Sequence, residues 1–214
     1  MVISESGLRF SFPEDTKAVK FDDTPFYRNK YAKMYESKGI DILADAPGSI
    51  QLIEIKNCSG HEADNRWRIA ANDRQNSAEN SRHSLDIELA QKVVSTLSCL
   101  YGAWTQSETT EKSGELRPFF PALNADAIPS NKKKILVILV LEGDFGSQSR
   151  SKKTIMSALQ DSLRAKLSPW LHCRVSVVDS DTYPQDLFHM EQIVLPPSKL
   201  PIDKPFLLYY NVNA

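Results

Sequence analysis

A chain of 214 residues, 41% of them apolar and 25% charged, is long enough for one domain with a substantial core. Its formal net charge of −1 carries no overall basic signature and argues against a free, non-specific nucleic-acid binder. Cys58, Cys99 and Cys173 are odd in number, widely spaced and without a Cys-X-X-Cys pair, and His61, His83, His172 and His189 fall at no ligand spacing, which speaks against a disulfide framework and against zinc.

The opening residues 1–6 lack the basic and apolar regions of a secretion signal, and the longest apolar run, residues 135–141, is too short to span a bilayer. The sequence therefore reads as cytoplasmic, with no membrane partner. Residues 8–12 alternate as a strand would, and Pro13 ends them. A helix is expected from Thr24 as N-cap, with Pro25 as its first residue, through Tyr27, Tyr31 and Met34 toward Glu36, with Gly39 ending it. Those three side chains recur at helical spacing and so read as core rather than as a base-stacking platform.

Residues 38–45, the turn-forming Ala46-Pro47-Gly48-Ser49 and residues 50–57 read as strand, turn, strand. With residues 46–49 as the loop, Asp45 faces Ile50 and Leu43 faces Leu52, which sets Asp41 opposite Glu54. The other face pairs Ile42 with Ile53 and Ile40 with Ile55, an aliphatic surface suited to burial against a helix. Lys56, two residues beyond Glu54, emerges on the carboxylate face. Carboxylates on directly opposed residues repel unless one takes a proton or a cation lies between them. The register is well specified, because a slip of one residue would turn the aliphatic set out to solvent.

Asp41 and Glu54-Ile55-Lys56 resemble the PD-(D/E)XK nuclease superfamily, the restriction-endonuclease-like fold, whose signature is an acid on one strand and acid-X-lysine on the next. Ile40 stands where the signature has proline, and the acid that many members carry on the first helix has several competing matches, Glu14, Asp22, Asp23 and Glu36. The resemblance implies an α/β domain with a mixed central sheet flanked by helices, and metal-dependent hydrolysis of phosphodiester bonds, with DNA as substrate. Asp41, Glu54 and the backbone carbonyl of Ile55 would be the ligands of Mg²⁺, for which Mn²⁺ can substitute. Lys56 would lie beside the reacting water, in a positioning and electrostatic role rather than as general base. Two alternatives stay open. One is a catalytically silent member of the fold that binds nucleic acid or scaffolds a larger assembly, such as a defence complex. The other is a plain α/β interaction domain whose three residues form an ordinary cross-strand salt-bridge cluster. The near-neutral charge also points to a protein partner, or a homodimer, for targeting.

Residues 58–82 form a polar stretch expected at the surface beside the site, and its Arg66, Arg68 and Arg74 read equally as phosphate contacts or as incidental arginines of a flexible loop. Ser84 is placed to cap a helix over residues 85–104, with Leu85, Leu89, Val93, Leu97 and Tyr101 aligned with Ala90, Val94 and Leu100, covering the aliphatic face of the hairpin. Gln91 and Lys92 are its candidates for facing the site, and Cys99 reads as core. Residues 105–130 read as a loop with an aromatic foot at Phe119 and Phe120. Residues 134–141 form a continuous aliphatic strand, as in a sheet covered on both sides. A helix over 151–167 and a strand over 172–178 follow, and Asp179-Ser180-Asp181 is a turn in preference to a metal pair. Lys132 to Lys134, Arg150, Lys152 and Lys153 read as solvated element ends. The domain is expected over 1–187, with 188–214 a Pro-rich C-terminal extension whose apolar residues 206–210 pack on the domain or on a second copy.

Overall fold

The hairpin expected over residues 38–57 is present over 42–57, with residues 38–41 outside the strand, and two sheets and a helical layer are organised around it. The computed structural model describes residues 1–34, 37–69, 83–106, 114–124 and 126–193. Arg74, the apolar residues 206–210 and most of the Pro-rich extension lie outside the described residues.

The larger sheet contains β3 (Lys17–Lys20), β4 (Ile42–Ala46), β5 (Ser49–Asn57), β6 (Lys134–Glu142) and β7 (Cys173–Val178), side by side in that order. The first three strands are antiparallel, and β5, β6 and β7 run parallel. The expected register holds from Ile42 opposite Ile53, through Leu43 opposite Leu52, to Asp45 opposite Ile50. The ladder stops at Ile42, so Ile40 does not pair with Ile55 and packs instead in the core beneath the helices. The ladder extends to Ala46 opposite Ser49, so only Pro47 and Gly48 connect the strands, two residues fewer than expected. β6 lies between two parallel neighbours, which is why its sequence is an unbroken aliphatic run and not an alternating one.

The smaller sheet joins β1 (Val2–Glu5), β2 (Leu8–Ser11) and β8 (His189–Gln192). Ser6 and Gly7 have φ of 50° and 77°, the left-handed pair that matches a two-residue hairpin turn to strand twist. β8 lies beyond residue 187 and pairs with β2, so residues 189–192 are part of this sheet. Five helices are described: α1 (Pro25–Asn29), α2 (Glu62–Asn65), α3 (Leu85–Thr105), α4 (Phe119–Leu123) and α5 (Lys152–Leu167). Ser151 caps α5 by accepting the amide of Thr154 at 3.2 Å. Among the described residues no helix is long and apolar enough to cross a membrane.

The strand period divides the interior into two cores. Leu43, Ile50, Leu52, Val137 and Leu139 pack against Leu89, Val93, Leu100, Leu159 and Leu163 of α3 and α5. Ile42, Ile53, Ile55, Ile138 and Val140 pack against Phe10, Phe12, Phe188 and Met190 of the smaller sheet and its flanks. Helix α3 therefore lies on the carboxylate face of the hairpin, opposite the face it was expected to cover. The reason is that the aliphatic face is already sealed by β1, β2 and β8.

Three local expectations also change. The helix after Thr24 ends at Asn29 and is followed by a 3-10 turn over Tyr31–Lys33; Tyr27 and Tyr31 stack and pack on the core, but Met34 is exposed. Gly39 does not end a helix. A Cβ there would come within 2.6 Å of the Phe21 ring, so glycine is required by close packing. The foot at Phe119 is the short helix α4 rather than a loop, with Phe119 buried. The turn at Asp179 is as expected, its Oδ1 accepting from Asp181 N–H and Thr182 Oγ1.

Candidate active site beneath helix α3

Asp41 sits immediately before the start of β4, where the regular ladder stops. Its backbone N–H donates to the Ile53 carbonyl at 3.2 Å, and its side-chain Oδ2 accepts the Ile55 amide at 2.7 Å. The carboxylate thus takes over a strand hydrogen bond and is held against β5. The approach to it is fixed from above: Lys38 and Ile40 donate their amides to Ser95 and Thr96 of α3. Glu54 and Lys56 leave β5 on the side that carries Leu52, and so meet Asp41 under α3. Ile55 points its side chain into the opposite core and is bound to Asp41 through its amide.

The helix supplies the rest of the site. Lys92 Nζ is 2.6 Å from Glu54 Oε1 and 3.8 Å from Asp41 Oδ1, so one ammonium bridges the two carboxylates. Lys56 Nζ is 2.7 Å from the same Glu54 oxygen and 3.3 Å from Glu88 Oε1. Glu88 is held in turn by Arg68, at 2.6 Å, from the 3-10 turn Arg66–Ile69. Three acids and three bases thus alternate around Glu54, whose side chain is only 1% exposed. Of the two helix positions left open by the sequence, Lys92 faces the site and Gln91 faces solvent.

The electrostatics follow from burial and neighbours. Burial, and then the Glu54 charge, push the Asp41 carboxyl up from its ordinary 3.8 to about 7. Burial pulls Lys56 down, but Glu54 and Glu88 outweigh it and hold the ammonium above its ordinary value. Burial likewise opposes ionisation of Glu88, yet Lys56 and Arg68 bring its carboxyl down to about 2. Lys56 and Glu88 are therefore firmly charged at neutral pH, and Asp41 is balanced between its two forms.

The donor set fits a divalent cation at Asp41 and Glu54. Glu54 Oε2 is buried and has no hydrogen-bond partner among the described residues, a cost of about 1–3 kcal/mol for a neutral group and more for a charged one. Asp41 beside it is raised by burial and then by the Glu54 charge, and a cation between the two carboxylates would relieve the second of these. Among the described residues, no cluster of three or more His, Cys, Asp or Glu side chains is arranged to hold a metal, so two carboxylates are what those residues offer at this site. Mg²⁺ commonly accepts that number and fills its remaining positions with water.

A family model matches residues 24–192, from the residue before α1 to the end of β8. The chain belongs to DUF6661, a family of unknown function. No curated protein and no solved structure matches it. The part shared with DUF6661 contains Asp41, Glu54, Lys56, Arg68, Glu88 and Lys92.

Sequence reasoning missed Glu88 and gave Arg68 a different task. Leu85, Glu88, Leu89, Lys92, Val93 and Thr96 follow the i, i+3, i+4, i+7 spacing of a buried helical stripe. Two opposite charges four residues apart inside that stripe were the available signal. Arg68, for which the sequence left a phosphate contact and an incidental loop position both open, is committed to Glu88.

Proposed function

We propose that this DUF6661 chain is a metal-dependent nuclease of restriction-endonuclease-like fold that hydrolyses phosphodiester bonds in DNA. The observation that carries the reading is the convergence of Asp41, Glu54 and Lys56 on one buried face, with Glu54 Oε2 lacking a partner. The mixed sheet with helices on one face is in keeping with the mixed, helix-flanked sheet that the resemblance implies, whereas the other face is closed by the smaller sheet. Asp41 and Glu54 would hold Mg²⁺ or Mn²⁺, with the Ile55 carbonyl as third protein ligand. When bound, the ion would activate water and offset charge on the phosphate.

The side chains divide the remaining work. Lys56, held charged by Glu54 and Glu88, orients the attacking water and stabilises the negative charge that builds as the new P–O bond forms and the old one breaks. Arg68 acts through Glu88, fixing the carboxylate that fixes Lys56. Lys92 keeps the acid pair together before substrate arrives. The reaction is assigned to the cytoplasm, with a protein partner or a second copy supplying targeting.

One observation favours a second reading, the catalytically silent nucleic-acid-binding or scaffolding subunit. Lys56 and Lys92 both already sit on Glu54 Oε1, so the chain neutralises its own acid pair. Incubation of wild type, Glu54→Ala and Lys56→Ala with plasmid, linear and single-stranded DNA plus Mn²⁺ separates the two. The nuclease reading expects cleavage by wild type that falls at least about 100-fold in each variant. Equal outcomes for all three proteins would discard it.

A further inference from the structure

The 3-10 turn that carries Arg68 to Glu88 sends Arg66 the other way, to the rim of a cleft of about 260 Å³. The opposite rim is the loop after β6, with Ser147, Ser149 and Arg150, and the floor includes Ile69 and Phe145. Arg66 and Arg150 are exposed and form no ion pair among the described residues, whereas Arg68, Lys56 and Lys92 are all engaged. Nearby acids do not compete for them. Glu62 accepts the amides of Gly60 and Asp144, and Asp144 accepts the amide of Gly146.

The cleft is tied to the site by the sheet. Lys56 pairs with Leu141 and Asn57 with Glu142, so the loop that bears Ser147 and Arg150 begins where the neighbour of Lys56 ends. Cys58 donates its amide to Glu142, and Asp144 donates to Glu62, which joins the segments following β5 and β6. In open α/β sheets, ligands bind in the crevice outside the carboxyl ends of the strands.

We infer that this cleft is a backbone subsite for DNA, in which Arg66 and Arg150 grip phosphates neighbouring the one presented to Lys56. Guanidinium forks match phosphate oxygens in pairs, serine hydroxyls add neutral donors, and the apolar floor accepts the face of a deoxyribose. A chain with net charge −1 then binds an anion through a local pair of free cations rather than through its overall field. The inference rests on the proposed nuclease reading for the nature of its ligand.

The test is fluorescence anisotropy with labelled duplex and single-stranded DNA in EDTA, where metal-dependent cutting is blocked. For Arg66→Ala/Arg150→Ala the Kd should rise about tenfold or more, and the slope of log K against log salt on duplex should fall by about 1.8, at ~0.9 per phosphate lost. The unfolding midpoint should not move. Arg9→Ala, on the smaller sheet and paired with Glu191, should leave the Kd within about twofold. Absence of binding by wild type, or an unchanged Kd in the double variant, overturns the subsite. A double variant that loses binding, in a protein that never cuts DNA with Mn²⁺, supports the subsite and sinks only the catalytic reading.

Discussion

Lys92→Met removes the ammonium between Glu54 and Asp41 while keeping the length and apolar stem of the side chain. The group removed is 12% exposed, and the carboxylates it serves are 1% and 13% exposed, so water cannot replace it freely. Breaking a buried pair by removing one partner costs about 3–5 kcal/mol. Here the low end applies. Lys56 stays 2.7 Å from the same Glu54 oxygen, and Asp41, already raised to about 7, can take a proton to relieve the repulsion. A loss of about 3 kcal/mol lowers Tm by roughly 6–12 °C in a domain of this size.

The same variant tests the metal site without any activity measurement. If Asp41 and Glu54 accept a divalent ion once the ammonium is gone, Mg²⁺ at about 100 times its Kd restores about 2.7 kcal/mol. Thermal and urea unfolding of wild type and Lys92→Met, in EDTA and across Mg²⁺ and Mn²⁺ titrations, read both effects. A variant that melts with wild type in EDTA refutes the bridging role of Lys92. A loss that neither cation reduces at any concentration refutes the two-carboxylate metal site.

Asp41→Asn keeps an oxygen for the Ile55 amide but cannot ionise. Because the folded carboxyl is raised from 3.8 to about 7, the stability it contributes is complete below pH ~4 and is lost as pH rises through 7; the variant should therefore gain on wild type across that window, by an amount on the order of 2–4 kcal/mol in urea unfolding. A difference that is flat with pH contradicts the buried acid pair. Gly39→Ala should cost about 1–3 kcal/mol, since its Cβ would meet the Phe21 ring at 2.6 Å, and a variant as stable as wild type would show that the ring moves aside. Asp86→Ala should cost about 3 kcal/mol by chemical denaturation, because Ser84, Ser162 and Lys166 all donate to that fully buried carboxylate at 2.5–2.8 Å and thereby join the start of α3 to α5; a loss below about 1 kcal/mol would mean the helices do not depend on it.

The sequence made the hairpin legible because two independent patterns agreed on one register. The aliphatic alternation of Ile42, Ile53 and Ile55 on one face and the placement of Asp41 and Glu54 on the other could not both survive a slip. The long helices and the central strand were legible for the same local reason, an apolar period sustained over many residues. Of the smaller sheet only β2 was, through the alternation of residues 8–12. The outer strands of that sheet are four residues each, and the Arg9–Glu191 pair spans 182 positions, a contact no local period encodes. Without that sheet the aliphatic face had no visible cover, and α3 was assigned to it. Placing α3 on the other face changes the chemistry, because it brings Glu88 and Lys92 onto residues that otherwise stood as a triad.

That burial also weighs between the readings. An exposed cross-strand cluster is worth at most about 1 kcal/mol and asks nothing of the rest of the fold. Here a 21-residue helix lies across the charges, and Glu54 is almost wholly removed from water with one oxygen unpartnered. Buried ion networks are weak contributors to stability, since apolar side chains of similar volume often serve as well or better. Stability alone therefore gives no reason to keep three acids and three bases under α3 in place of leucines. Perturbed, desolvated charges are an arrangement that binding and proton-coupled chemistry use. On the proposed reading the cluster is a site for a charged ligand, on the other a brace for the hairpin, and the Lys92→Met metal titration separates those two roles directly.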